Sequence, residues 1–311
     1  MGTRQSATVD ASTRPPHNAA MSEPAFIAAL RALAPHPAAR GLADDAAVLE
    51  IGGEALVVTH DMMVEGVHWL AGQDPADVAW KLVAVNLSDL AAKGAVPLGV
   101  LLGYTLGNDD TRFLEGLGEA LAAFSVPLLG GDTVSGHGGR AHGLTALGRA
   151  THRPVPSRSG AVAGDGVWLT GPVGAAMLGF EAMRDGTSAD SAAFRRPVPL
   201  LAQGGALAPL VTAMMDVSDG LLLDASRLAQ ASGVTLSLDS SAVPIPASLQ
   251  PARRSEALRW GDDYQLLFTL PAAIEPPCPA HRIGTVLPRG DAPLLLDNAV
   301  PEGDLGYIHG N

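Results

Sequence analysis

Aspartates stand where apolar runs end along this chain. Asp61 follows AlaLeuValValThrHis, Asp89 sits in AsnLeuSerAspLeu, Asp132 in GlyGlyAspThr, and Asp216 and Asp219 in MetAspValSerAspGly. Asp44 and Asp45 lie upstream of this series. Carboxylates at the ends of buried segments suit Mg²⁺, which takes hard oxygen ligands and bridges them to phosphate. The series points to metal-dependent phosphate chemistry. The formal net charge of −12 agrees, because a phosphate substrate then needs cations to offset the carboxylates. Lys81 and Lys93 are the only lysines, and the charge balance leaves no electrostatic footprint for nucleic acid or an anionic membrane.

Each group also has a plainer reading. Asn86 and Asp89 share a helix face and Lys93 lies four beyond Asp89, so an exposed ion pair worth about 0.3–0.5 kcal/mol is one account. The apolar neighbours Leu87, Leu90 and Ala91 favour instead an aspartate turned toward a site. Asp216, Ser218 and Asp219 precede an apolar helix, where one of them can cap free N–H groups. Capping does not require two carboxylates and a serine. GlyGlyAspThr is either a tight turn or a close backbone approach to phosphate with Asp132 on metal, and Asp44-Asp45 is equally open. His60 and His68 belong to no zinc-protease spacing, no GlyXxxSerXxxGly elbow occurs, and neither lysine completes a Walker A loop. Residues 136–141 fit GlyXxxGlyXxxXxxAla but run toward a strand, which argues against a dinucleotide loop. Gly171-Pro172-Val173-Gly174 joins strand to helix, and close packing explains its glycines more simply than an anion site.

These residues need elements to hold them. A chain of 311 residues exceeds the usual size of one domain, so two domains are expected. Aromatics make up only 4%, so small aliphatic side chains must pack broad interfaces. Apolar spacing predicts helices over 23–34, 78–92, 174–183 and 219–231, and another opened by Asp110 or Thr111 as cap. Strands are predicted over 55–59, 96–103 and 126–129, and later in ValTrpLeuThrGly, ValThrLeuSerLeu, TyrGlnLeuLeuPheThrLeu and IleGlyThrValLeu. Their alternation with helices argues for an α/β architecture. The polar, proline-bearing stretch 151–159 marks the domain boundary, and 184–200 reads as a surface excursion. Cys278 alone excludes intrachain disulfides and a Cys-rich zinc site and is consistent with the cytoplasm. No apolar run is long enough to cross a membrane, and residues 1–21 read as a disordered extension without a secretory signal.

Taken together, the segments resemble the thiamine-monophosphate kinases, of the ATP-binding superfamily that includes aminoimidazole ribonucleotide synthetase and selenophosphate synthetase. The resemblance is carried by AspAspAlaAlaValLeu (44–49), ThrHisAspMetMetValGluGlyValHisTrp (59–69) and AlaValAsnLeuSerAspLeuAlaAlaLysGlyAla (84–95). GlyGlyAspThr (130–133), ArgSerGlyAlaValAlaGlyAsp (158–165), MetAspValSerAspGlyLeu (215–221), GlyAspAspTyrGlnLeuLeuPhe (261–268) and GlyTyrIleHis (306–309) continue it. The HisTrp and AspAspTyr elements favour the kinase over its superfamily relatives, and the expected reactive Cys and Lys of selenophosphate synthetase are absent. The resemblance implies ATP-dependent conversion of thiamine monophosphate to thiamine diphosphate. It implies an α/β fold of α+β type in two domains, 22–153 and 154–311, the first forming a dimeric β-barrel flanked by helices in a homodimer.

Carried over by position, Asp45, Thr59, His60, Asp61, Asp89, Asp132, Asp216 and Asp219 would hold several Mg²⁺ ions. Gly131, Asp132, Arg158 and Ser218 would contact ATP, and His68, Asp262 and Tyr307 the thiamine phosphate. Asp89, Asp132 and Arg158 would be central to catalysis. The chain departs from the family pattern at Ala43 and Trp260, where Gly is usual, at His60, where Thr is usual, at Lys93, where Met is usual, and at Gly310, where an aromatic is usual. An ATP-dependent synthetase acting on another substrate, or a catalytically impaired nucleotide- and metal-binding homodimer, is the alternative.

Overall fold

The computed structural model describes residues 22–136 and 138–309, so the expected extension over 1–21 and the departure at Gly310 lie outside the described residues. After α1 (Glu23–Arg31) and a short 3-10 turn come β1 (Ala47–Ile51), β2 (Glu54–Val64) and α2 (Pro75–Ala92). Then follow β3 (Ala95–Thr105), α3 (Asp110–Ala123), β4 (Leu128–Val134) and β5 (Ala141–Ala150). The second half runs β6 (Gly166–Leu169), α4 (Ala175–Arg184), α5 (Ala192–Arg195), α6 (Leu201–Leu207), β7 (Ala213–Asp216) and α7 (Leu221–Ser232). It closes with β8 (Thr235–Leu238), α8 (Arg254–Ala257), β9 (Leu266–Leu270), β10 (His281–Leu287) and β11 (Leu294–Leu296).

Two separate sheets result, one of order β1-β2-β5-β3-β4 and one of order β11-β8-β10-β6-β9-β7. The fold is a mixed α/β arrangement in two parts. Strand–helix alternation suggested parallel crossovers, yet only β3 with β4 and β11 with β8 pair in parallel. All other strand pairings are antiparallel: β1 turns directly into β2, and β5, β9 and β10 are each inserted between two earlier strands. No helix of the described residues is long and apolar enough to cross a membrane.

Helix α2 is the spine of the molecule. Asp74 accepts a hydrogen bond from Ala76 N and so starts it three residues before the predicted point, and Pro75 needs no donor in the first turn. It ends at Gly94, whose φ of +57° suits glycine, and a Cβ there would lie 2.4 Å from Ala208 Cβ. Nearly every residue of α2 is buried, because it packs on β2, β3 and β5, on α3, and on α6 and β7 of the second half. A helix buried on nearly all sides must find partners for its polar residues in those surroundings, as Lys81, Asn86, Ser88 and Asp89 do. Its residues Leu82, Val85, Leu87 and Leu90 join Val57, Val100 and Leu144 in the first core, while the second core gathers around α7.

Several local expectations change in the structure. Helix α1 buries none of its residues, so Phe26 and Leu33 remain exposed. Neither Asp110 nor Thr111 caps α3, since Asp110 Oδ1 accepts from Tyr104 Oη and Gly107 N, each at 2.8 Å. GlyGlyAspThr is not a turn but the middle of β4. The 184–200 segment is not a mere surface excursion, for it contains α5, whose Phe194 is buried. The helix N-terminus after Gly171-Pro172-Val173-Gly174 already has its anion: Asp263 accepts from Gly174 N at 2.7 Å and Ala176 N at 3.2 Å.

Candidate active site

One cavity of about 710 Å³ lies between the two sheets and gathers most of the singled-out residues. Its acidic end is lined by Asp44, Asp45, Asp61, Asp89, Asp216 and Asp219, with Arg158 and Ser218 beside them. His68, Phe180, Trp260, Asp262, Tyr307 and His309 line the rest of the cavity, with Asp262 N donating to Ser218 O at 2.8 Å and Tyr307 N to Asp219 O at 2.9 Å.

The acidic end is assembled from four places in the chain. Strand alternation on β2 sends Thr59 and Asp61 inward, and Thr59 Oγ1 donates to Asp89 Oδ2. Asn86, one turn before Asp89 on α2, accepts from Asp61 N at 2.9 Å and fixes the strand against the helix. Asp216, the last residue of β7, accepts from Ser88 Oγ at 2.5 Å. Arg158 brings its guanidinium to Asp45, 2.5 Å from Oδ1. The loop after β7 is tied down from within α7: Asp224 accepts from Ser218 N at 3.1 Å and Asp219 N at 3.0 Å. Capping by Asp216, Ser218 or Asp219 is thereby ruled out, since Gly220 takes the capping position and has no side-chain cap. Asp219 instead pairs with Arg227 at 2.5 Å.

Asp45, Asp89 and Asp216 each offer an oxygen, and all three oxygens lie within 4.8 Å of one another. Asp45 Oδ2 is buried and takes no hydrogen bond of acceptable geometry, although Lys93 Nζ stands 2.6 Å from it as an ion pair. Burial, and then repulsion from Asp45 among other carboxylates, pushes Asp216 up to about 8. Burial and the charges of Asp45 and Asp219 push Asp61 up to about 6 against the pull of Arg158. Asp89 is raised well above the usual carboxylate range by burial and by Asp61, Asp216 and Asp45. Such crowding is unfavourable for the protein alone. A buried all-oxygen donor set from three carboxylates this close together fits a hard divalent cation.

At the aromatic end, Asp262 holds a backbone φ of +64° and accepts from Lys81 Nζ and Tyr264 Oη, each at 2.8 Å. Gly261 lets this segment lie close against the Ser218 backbone, because a Cβ there would lie 2.1 Å from Ser218 O. Lys81 is buried, donates also to His68 O at 3.0 Å, and sits 3.9 Å from the Phe194 ring centroid. Burial lowers its pKa and Asp262 works against that shift. His68 Nδ1 accepts from Val64 N at 3.0 Å, and its pKa is lowered, chiefly by burial. Trp260 packs at 5.2 Å from Phe180, and Tyr307 meets His309 edge-on at 4.8 Å.

Not every expected residue converges. His60 points to the opposite face of β2 from Thr59 and Asp61, where it is exposed and pairs with Thr145 Oγ1 at 2.9 Å. Gly131 and Asp132 lie on β4, exposed along the sheet edge and outside the cavity lining. The exposed Asp89–Lys93 pair does not exist either, for both residues are buried and Lys93 reaches Asp44 and Asp45 instead. Lys81, Ser88, Asp224 and Phe194 were missed as site residues. Lys81 left a signal, a lone cation among Val78, Ala79, Leu82 and Val83.

The class is that of AIR synthase related proteins: the N-terminal domain model of that family matches residues 43–150 and the C-terminal domain model residues 162–292. Thiamine-monophosphate kinase of Escherichia coli K12 is 36% identical over 252 residues, 74% of this chain and 76% of the relative. The Caulobacter vibrioides kinase of the same name is 39% identical over 74% of this chain and 71% of its own length. Among solved structures, AaThiL complexed with AMPPCP and TMP superposes with a TM-score of 0.83 at 28% identity, covering 93% of this chain and 97% of that one. The chain belongs to the thiamine-monophosphate kinase family.

Proposed function

We propose that the protein phosphorylates thiamine monophosphate with ATP, giving thiamine diphosphate and ADP. The observation that carries this reading is one cavity lined by two chemically different groups, carboxylates with Arg158 and aromatic rings with Asp262. A relative of known structure, AaThiL, was complexed with AMPPCP and TMP. The acidic end takes the triphosphate and the aromatic end the thiamine rings, so the substrate phosphate lies between.

Asp45, Asp61, Asp89 and Asp216 would hold Mg²⁺, with Thr59 orienting Asp89 and Asp219 serving a further ion. Bound Mg²⁺ supplies charge neutralisation for the transferring phosphoryl group and its leaving oxygen. An oxygen of the substrate phosphate forms the new bond to the γ-phosphorus while the bond to the β-phosphate oxygen breaks. A phosphate monoester is already anionic near neutrality, so no strong base is required and alignment of two anions dominates. Arg158, held by Asp45, and Ser218 flank the triphosphate. His68, Asp262 and Tyr307 orient the substrate, and Trp260 and Phe180 offer apolar rings against it.

The domain boundary is placed at 153/154. The protein works as a homodimer in which the outer faces of two first sheets build a barrel and bring Gly131 and Asp132 toward a site. The apolar residues Val96, Leu98, Leu101 and Met62 exposed on that face support this arrangement.

Incubation with Mg-ATP and thiamine monophosphate should release thiamine diphosphate and ADP together, read by chromatography. Absence of both products at millimolar Mg²⁺ would overturn the proposal. Asp89→Asn should fold normally and lose activity by about a hundredfold or more.

A further inference from the structure

Lys93 is a cation built into an acidic site. It follows α2 directly, its side chain is completely buried, and its Nζ donates to Asp44 Oδ1 while standing 2.6 Å from Asp45 Oδ2. Nζ also donates to Met214 O at 3.4 Å, on the strand β7 that ends at Asp216. The other oxygens are spoken for: Arg40 lies 2.5 Å from Asp44 Oδ2 and Arg158 2.5 Å from Asp45 Oδ1. Lys93 is therefore the cation facing the one Asp45 oxygen that lacks a hydrogen bond, and Asp45 is one of the three clustered carboxylates. Burial of Asp44 opposes its ionisation, but Lys93 and then Arg40 outweigh this and hold the carboxyl below its ordinary range.

A buried lysine must be compensated, and here two carboxylates do so. Viewed from those carboxylates, the ammonium stands where a bridging cation would stand. We propose that Lys93 Nζ occupies a cation position on the Asp44–Asp45 side of the site, and that a divalent ion takes this position when the ammonium is removed. This inference rests on the metal-binding reading above. It gives the chain a fixed charge in place of one exchangeable ion, so its demand for divalent metal is lower than its aspartates alone suggest.

The experiment compares wild type, Lys93→Met and Lys93→Arg in Mn²⁺ titrations followed by calorimetry and by electron paramagnetic resonance, with thermal melts in EDTA and in Mn²⁺. Lys93→Met should bind one more Mn²⁺ per chain, or bind an existing one at least about tenfold more tightly, since a unit charge at this range is removed. Its melting temperature should fall in EDTA and recover in Mn²⁺, while Lys93→Arg keeps the wild-type stoichiometry. Equal Mn²⁺ number and affinity in wild type and Lys93→Met overturns the proposal. So does a Lys93→Met protein that stays unfolded in Mn²⁺, because metal then cannot replace the ammonium. Wild type that binds no Mn²⁺ removes the metal reading itself, and the comparison with Lys93→Met then decides Lys93 separately.

Discussion

Asp216 shows how a single residue carries opposing demands. Its carboxyl is buried, surrounded by Asp45, Asp224 and Asp61, and satisfied by Ser88 alone. An amide of the same shape keeps an acceptor for Ser88 and removes the cost of holding a carboxyl where burial and neighbouring carboxylates oppose its ionisation. Asp216→Asn should therefore raise stability in EDTA by about 1 kcal/mol, the worth of roughly one pKa unit of relief, while activity collapses. A lowered melting temperature in EDTA would contradict the account of crowded charge. Lys81 makes the reverse case at the other end of the cavity. Lys81→Met leaves Asp262 without its cation in partly buried surroundings. The KM for thiamine monophosphate should rise about tenfold or more with little change for ATP; equal effects on both substrates would show that Lys81 acts only on the fold.

Helices position these groups through close approach rather than large anchors, as a chain with 4% aromatics must. Gly116 on α3 makes the point, because a Cβ there would lie 2.2 Å from Ala76 O of α2. Gly118, two residues on, has nothing within 4 Å and is exposed. Gly116→Ala should destabilise by about 1–3 kcal/mol through overpacking. Gly118→Ala should stabilise by up to about 1 kcal/mol through helix propensity alone. Denaturant midpoints of the two variants measure this, and equal shifts would mean that α2 and α3 are not in tight register. Loss of α2 packing would reach the site directly, since Asn86, Ser88 and Asp89 all ride on that helix.

At the scale of the whole molecule, two sheets close on one cavity while a third surface stays open. The outer face of the first sheet presents Met62, Val96, Leu98 and Leu101, and its edge Leu128, Leu129 and Val134, all exposed. Exposed apolar side chains gathered on one sheet suit an association surface. Under the dimer proposal, Leu101→Glu should yield a monomer by light scattering and lose activity, because Asp132 would then be withdrawn from the site. A fully active monomer would refute both points.

The class of chemistry was legible in the sequence, because aspartates ending apolar runs are a local pattern and local patterns survive folding. The run of motifs from 44–49 to 306–309 was legible for the same reason. Side-chain partners were not. Asp89 and Lys93 are four residues apart, a spacing that permits an ion pair. The apolar neighbours that turn Asp89 toward a site do not say that Lys93 reaches Asp44 and Asp45, almost fifty residues away in sequence. His60 stands beside Asp61 in sequence, but a strand sends neighbours to opposite faces, so Thr59 and Asp61 turn inward while His60 is exposed. Capping of the 216–220 loop was given to its own residues and belongs to Asp224. By itself the sequence determined which residues carry charge and where the chain turns. Which charges meet was decided by the tertiary structure, because Coulombic contact depends on distance through space and on burial, and neither is written in the order of residues.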